Sequence, residues 1–519
     1  MKERIESVKD SPELARAQRT AALLATLILL VLMFIGRLTI RTPIVPELMA
    51  DRIFALVPIS LVELGVQTVG IYAKKMAFVG CVLLFVAVGT LVGSLAFRVM
   101  KDLPERPVQF GIFLFAVACW YVSLSVVTPS FALSVFTGVP YPMAIAAMVL
   151  MAMYIVYGLS LGPLFVGLGG REDQHFLKTL AGRRAMLTTL GLVAAASFVY
   201  TFLGKLSKEI RRGTPGRAST GDGVFPNLEG LALEVTPTAD FYHVSKNIVD
   251  PEINVEDWSL EIRGMVDRPM RLTYTDLKGM DALEQYATLM CISNPVGGDL
   301  IGSAKWKGVK LRSLLERVGI QPSTRDVVLR AADGYSDSIL LERALQEGTL
   351  LCYEMNGAPL TPTHGFPARL LVPGIYGMKN VKWITQIELV GYDYKGYWQA
   401  RGWDDRAEYK TMSRIDLPSA STSAARAAMA GIAFAGDRGI SKVEVSKDGG
   451  GTWELAEVKR PLSPYSWVLW HHPWLPDHAG KYELLVRATD GRGESQTAIR
   501  AEPIPDGASG YHTRVIKVV

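Results

Sequence analysis

Cys291, in Thr288-Leu289-Met290-Cys291-Ile292-Ser293-Asn294, and the stretch 364–383 are where residue types in this chain point most directly to chemistry. A cysteine thiolate is a soft nucleophile and metal ligand. The later stretch gathers His364, Arg369, Lys379 and Lys382 into a cationic run rich in glycine and proline. Between the two lies Ala332-Asp333-Gly334-Tyr335, which offers a carboxylate and a phenol. Each feature has a plainer reading. Cysteine is among the most often buried residues, and Asp-Gly is by itself a turn signal.

These residues need positioning by more than one domain, because 519 residues exceed one ordinary domain. The 49% hydrophobic and 20% charged residues average two unlike halves: strongly apolar up to about residue 204, soluble in texture beyond it. A formal charge of +5 is small for this length, and the basic residues lie beside apolar segments. Membrane topology accounts for them better than nucleic acid, which is excluded as a partner. Of four cysteines, Cys81 and Cys119 lie in apolar segments. Cys352 reads as a core residue, since a disulfide to Cys291 would consume that thiol.

Five uncharged stretches approach the roughly 20 residues that a membrane helix needs: 21–36, 76–97, 108–127, 143–168 and 185–204. The first can extend to Ile40 if Arg37 snorkels. Residues 43–75 carry Glu47, Asp51, Arg52 and Glu63 and suit an amphipathic or re-entrant segment. Cations in the N-terminal tail and alternate loops place the N-terminus in the cytoplasm and the soluble half outside. Gly182-Arg183-Arg184 before an apolar run reads either as a twin-arginine export signal or as a cytoplasmic helix end. None of the seven histidines falls in the five stretches, so no haem is expected there. The expected boundaries are a transmembrane helical region at 1–204, a linker at 205–234, an α+β domain at 235–410 and a β-sandwich at 411–519.

In the soluble half, 255–262 and 327–330 read as strands, 274–280 and 310–318 as short helices. From about 411 only strands and turns follow. Ile440-Ser441-Lys442-Val443-Glu444-Val445-Ser446 alternates, Gly449-Gly450-Gly451 turns, and Thr452-Trp453 resumes, which is a hairpin. Regularly spaced short strands suit an immunoglobulin-like sandwich.

The motif set and the domain order resemble the sulfite oxidase superfamily, in which a molybdopterin domain precedes a sandwich that often mediates dimerisation. The resemblance covers 239–519 and is most specific over 364–383; Val443-Glu444-Val445-Ser446-Lys447-Asp448-Gly449-Gly450 carries the sandwich part. It implies a Mo-molybdopterin cofactor with Cys291 as the thiolate on molybdenum. His364, Arg369, Asn380, Val381 and Lys382 match positions holding the pterin and its phosphate. Arginine suits bidentate phosphate bonds, and lysine adds a point charge. Tyr242 and His243 match a segment contacting the pterin near the metal, and Asp333 a further cofactor contact. Tyr335 matches an active-site tyrosine able to pass a proton. Asn294, three residues after the cysteine, is expected to orient the loop around it and to belong to the cofactor-binding set.

Departures from the family pattern bear on substrate. Sulfite oxidases proper follow the cysteine with a basic Asn-Arg-Arg-like segment; here it is Asn294-Pro295-Val296-Gly297-Gly298. Tyr376-Gly377-Met378-Lys379 is closer to the exported bacterial sulfoxide-reductase branch, which has asparagine where His364 stands. The implied function is oxygen-atom transfer to or from a small sulfur- or nitrogen-containing substrate, sulfoxide-type reduction preferred over sulfite oxidation. The setting is the outer face of a bacterial inner membrane, with a separate membrane or periplasmic electron carrier and a homodimer as expected partners. A rival reading is a non-catalytic membrane receptor or assembly protein using the sandwich for binding. A dinucleotide enzyme fits poorly, because no Gly-x-Gly-x-x-Gly run follows a strand.

Overall fold

The computed structural model describes residues 12–39, 44–57, 73–100, 114–123, 147–160, 228–247, 250–418 and 428–518. The chain divides into two units, Met1–Gly213 and Thr214–Val519.

In the first unit α1 (Pro12–Thr39), α2 (Val45–Leu56), α3 (Ala73–Met100), α4 (Leu114–Ser123) and α5 (Ala147–Ser160) share an apolar core around Leu30, Met33, Phe34 and Tyr157. Among the described residues two segments are long and apolar enough to cross a bilayer, Ala15–Arg37 and Met76–Ala96, rather than five. Of the other expected spans, 108–127 and 143–168 are represented by the shorter α4 and α5, and 185–204 lies outside the described residues. Arg183-Arg184, His175 and 205–227 of the linker also lie outside them. Arg37 is mostly buried and pairs with Glu47 of α2 at 3.2 Å, and Ile40 lies outside the described residues. A buried guanidinium finds a carboxylate cheaper than leaving the helix bundle.

The second unit begins with one mixed and one antiparallel sheet. Its strands are β1 (Ser259–Gly264), β2 (Met270–Thr273), β3 (Ala282–Met290), β4 (Ile301–Lys310), β5 (Asp326–Ala331), β6 (Ser336–Leu340), β7 (Leu350–Met355), β8 (Ala358–Pro359), β9 (Arg369–Leu371) and β10 (Ile384–Val390). One sheet runs β2-β1-β10-β5-β6, with β1 and β10 parallel. The other runs β3-β4-β7-β8, with β9 added on β7. Between the strands stand the short helices α6 (Tyr274–Lys278) and α7 (Leu311–Val318), which the sequence places within two residues at each end. Thr273 starts α6 by a reciprocal bond with Asp276, satisfying two amides that the first turn leaves open. Leu311, Leu314, Leu315 and Val318 recur at helical spacing and bury against Leu260, Ile262 and Leu329.

The rest of the unit is a sandwich of two four-stranded antiparallel sheets. One is β11 (Met412–Leu417), β12 (Ala428–Phe434), β16 (Val468–Pro473) and β15 (Glu457–Val458); the other is β14 (Glu454–Leu455), β13 (Ile440–Ser446), β17 (Gly480–Asp490) and β18 (His512–Val518). Alternate residues of both, such as Val443, Val445, Trp470 and Val486, fill the space between them. The hairpin expected at 440–455 is β13–β14, with Gly449 and Gly450 at φ 74° and 99°. These values suit glycine because a Cβ would be strained there.

Candidate active site

Segment 241–246, the end of β3, the turn before β6 and the stretch 364–383 enclose one cavity. Cys291 lies in its wall, 7% exposed, where β3 ends. Its amide donates to Leu300 O (2.9 Å), its carbonyl accepts from Asn294 N (3.0 Å), and Sγ lies 2.9 Å from Ser293 Oγ. Asn294 is buried beside it and does not line the cavity; its Oδ1 accepts from Leu300 N at 2.9 Å, closing the loop. That bond ties the two ends of the loop that carries the cysteine. Cys352 is a thiol deep in the second sheet's core, so no disulfide ties it to Cys291.

The cationic stretch faces the same space. Arg369 is 5% exposed on β9, stacks on the Trp306 ring at 5.1 Å, and donates to His364 O (3.3 Å) and Asn380 O (3.2 Å). Its Nε has no hydrogen-bond partner, and among the described residues no carboxylate pairs with it. Burial holds its pKa below the usual arginine value. A buried guanidinium without a carboxylate partner is costly to keep in the fold. Lys382 reaches Ser245 Oγ (2.8 Å) and Thr363 O (3.0 Å) on the cavity wall. Gly377 lies against Tyr242, and a Cβ there would meet the Tyr242 hydroxyl at 2.5 Å. The glycine thus keeps the cavity floor open.

His364 is nearly buried, edge-on to Phe241, with Nε2 3.0 Å from Thr238 O. Burial, with Arg369 and Lys382 nearby, pushes its pKa down to about 4. It is therefore neutral at ordinary pH, donating from Nε2 and keeping Nδ1 as an acceptor. Asn380 lines the cavity, and its side chain is spent on Val372 N, Ile375 O and Tyr376 O. Val381 is buried and ties this stretch to β9 through Leu370.

Tyr335 closes another side. Its hydroxyl lies 2.8 Å from Asp337 Oδ2 and 3.0 Å from Met378 O. Lys379 Nζ sits 3.0 Å from Asp337 Oδ1, with both side chains buried. Burial drives the Tyr335 pKa well above the usual phenol range and raises that of Asp337, which Lys379 partly offsets. Asp333 lines the cavity, and its Oδ1 caps the turn by accepting from Tyr335 N at 2.9 Å. Asp333 thus serves the turn and stands in the cavity wall at once.

One expectation needs correction. His243 turns away from the cavity, half exposed, and engages Asp250 (2.8 Å) and Ser245 (2.9 Å). Tyr242 faces inward and stacks on Phe241. Sequence reasoning missed Asp337, Lys379 as its buried partner, and the Trp398–Trp403 pair, stacked at 4.2 Å on the cavity wall. Asp337 sits between two serines in a polar-looking stretch, so nothing local marked it for burial; the tryptophans sit in a turn-rich segment without periodicity.

Comparison with known proteins gives two family matches: an oxidoreductase molybdopterin binding domain at residues 247–398 and a Mo-co oxidoreductase dimerisation domain at 410–502. The uncharacterized oxidoreductase YuiH of Bacillus subtilis is 32% identical over 151 residues, covering 29% of this chain and 74% of that one. The mitochondrial sulfite oxidase of Drosophila melanogaster is 32% identical over 321 residues, 51% of this chain and 56% of that one. An NADH nitrate reductase of Oryza sativa subsp. japonica is 28% identical over 328 residues, 50% of this chain and 36% of that one. The chain thus spans little more than half of the sulfite oxidase and about a third of the nitrate reductase.

Proposed function

From the premise that the chain belongs to the sulfite oxidase superfamily and is a molybdopterin-dependent oxidoreductase, we propose that its cavity exchanges an oxygen atom with a small sulfur or nitrogen compound. The observation that carries this is Arg369, a buried cation with an unsatisfied Nε in the same cavity as Cys291. One anion filling that space would pair the guanidinium and bring its other end to the thiol. A phosphate-bearing pterin with a soft, thiolate-seeking metal fits both ends.

Arg369 and Lys382 would take the phosphate, His364 and the backbone at Asn380 and Val381 the polar edge of the pterin, and Cys291 the metal. Tyr242, Asp333 and the loop-holding Asn294 complete that set, with His243 outside the cavity. The bound cofactor supplies a metal that cycles between oxidation states and so accepts or delivers electron pairs. Tyr335 directs its proton to Asp337 and Met378 O, leaving the phenol oxygen as an acceptor toward the cavity. Lys379, bonded to the other oxygen of Asp337, holds that carboxyl in place behind the phenol.

For a reduction the balance is substrate oxide plus two electrons and two protons, giving reduced substrate and water. The wall formed by Trp398, Trp403, Val244 and Met378 is aromatic and apolar, which suits a neutral oxide of the sulfoxide type. Sulfite oxidation is the second reading, favoured by the name of the Drosophila relative. The electrons would pass to or from a separate carrier.

We further propose that the first unit anchors the enzyme in a membrane, with the catalytic unit on its outer face. α3 presents Met76, Leu83, Leu91 and Leu95 with about half or more of each side chain uncovered. Such an apolar stripe is stable against lipid and unfavourable in water. The sandwich supports a homodimer.

The test is molybdenum and pterin content of the purified full chain, wild type against Cys291→Ser, followed by turnover on a sulfoxide, sulfite and nitrate. Near-stoichiometric molybdenum and pterin in the wild type with a changed metal signal in the variant is expected. Absence of both from protein made in a cofactor-competent host would overturn the reading.

A further inference from the structure

The strand and loop that carry Cys291 are held from outside their own domain. β3 is the edge of its sheet, and an edge strand leaves backbone groups unpaired unless something covers it. The loop between β15 and β16 covers it. Thr288 N donates to Tyr465 O at 3.0 Å, and Trp467 N donates to Thr288 Oγ1 at 2.9 Å. One residue before the cysteine, Met290 N donates at 3.2 Å to the hydroxyl of Tyr409, in the segment that leads into the sandwich. Met290 and Ile292, the two neighbours of Cys291, bury in one apolar cluster with Tyr409, Phe434 and Leu469.

The tip of the cysteine loop meets the sandwich again. Arg414 of β11 donates from Nη1 to Gly298 O at 2.9 Å, its guanidinium aimed by Asp416 at 2.7 Å. Gly297, at φ 76°, lies so close to the His512 ring that a Cβ would stand 2.4 Å from it. The ring is itself pinned, since His512 Nδ1 accepts from Ile415 N at 2.8 Å. A dimerisation module needs none of these bonds.

We propose that the sandwich is a working part of the catalytic centre: Arg414 and His512, with Tyr409 behind them, are positioning residues that set where the Cys291 sulfur stands. The role of that sulfur as metal ligand rests on the reading above; the clamp on the loop does not. The physical basis is that a ten-residue loop closed by Asn294 retains freedom at its tip, and a charge-assisted bond to Gly298 O removes it.

The experiment uses the full chain in detergent. In cofactor-free protein, the labelling rate of Cys291 by a small neutral maleimide is measured after subtracting the Cys291→Ser background. In loaded protein, the Mo(V) electron paramagnetic resonance signal is recorded. Arg414→Met should raise the labelling rate about tenfold, the scale of one lost bond to a charged group, and shift the signal. Arg414→Lys should restore both toward wild type, which a merely structural role would not require of the signal. Should Arg414→Met not melt cooperatively, His512→Asn, which removes the wall against Gly297, is read in the same two ways. An unchanged rate and signal in a folded variant would overturn the proposal. Faster labelling in a protein whose metal signal is the same with and without Cys291 would uphold the clamp and sink the ligand assignment.

Discussion

Lys379 places its ammonium 3.0 Å from the Asp337 carboxylate, with 3% and 0% of the two side chains exposed, directly behind the Tyr335 hydroxyl. Lys379 also donates to Ser338 O (2.8 Å) and approaches Asp405 Oδ1 (3.4 Å), so its three protons are all directed. An ion pair this deep is neither a surface ornament nor a source of net stability; its effect is to hold the phenol in one orientation.

Lys379→Met should therefore strand a buried carboxylate and cost on the order of 3–5 kcal/mol of stability. The double variant with Asp337→Asn should lose less than the two single losses summed. Denaturant melts of all three variants check this, and additive losses would mean that the pair is not coupled.

Arg369→Lys keeps the charge and loses the planar fork. Cofactor retention should fall by about ten- to a hundredfold, the range for losing one charge-assisted bond. Molybdenum and pterin left on the protein after dilution and gel filtration measure it, and retention equal to wild type would remove Arg369 from the anion site.

Gly377→Ala puts a methyl group where the Tyr242 hydroxyl stands at 2.5 Å. Cofactor loading should drop in the single variant and recover when Tyr242→Phe removes the hydroxyl. Loading that stays low in the double variant would show that the clash is not the cause.

His364 has its pKa lowered from 6.5 to about 4 by burial, so the folded state binds fewer protons than the unfolded one between those values. Stability of the cofactor-free chain should therefore be complete above about pH 6.5 and fall as pH drops toward 4, by roughly 3 kcal/mol from this residue. His512, also held at about 4, acts in the same window and the same direction. Melts at pH 7 and pH 5 for wild type and His364→Gln test it; equal pH slopes would contradict the assignment.

Much of the soluble half was legible in the sequence, because its signals are local. Period-two alternation set β13, helical spacing set α7, and glycine runs set the hairpin, each within a residue or two of where the elements lie. Cys291, Arg369, Lys382 and Tyr335 were legible through residue type and spacing, and they do converge on one cavity. What the chain alone determined is thus which groups are available and which elements carry them. Tertiary structure decided which way they face and what they lean on. His243 turns outward although Tyr242 turns in, Arg37 pairs with Glu47, and Asp337 finds Lys379 forty-two residues away. The support of the Cys291 loop by Arg414 and His512 spans more than a hundred residues of sequence. Such contacts depend on how separate sheets pack, and no local pattern encodes a distance between surfaces that meet only when the chain has folded.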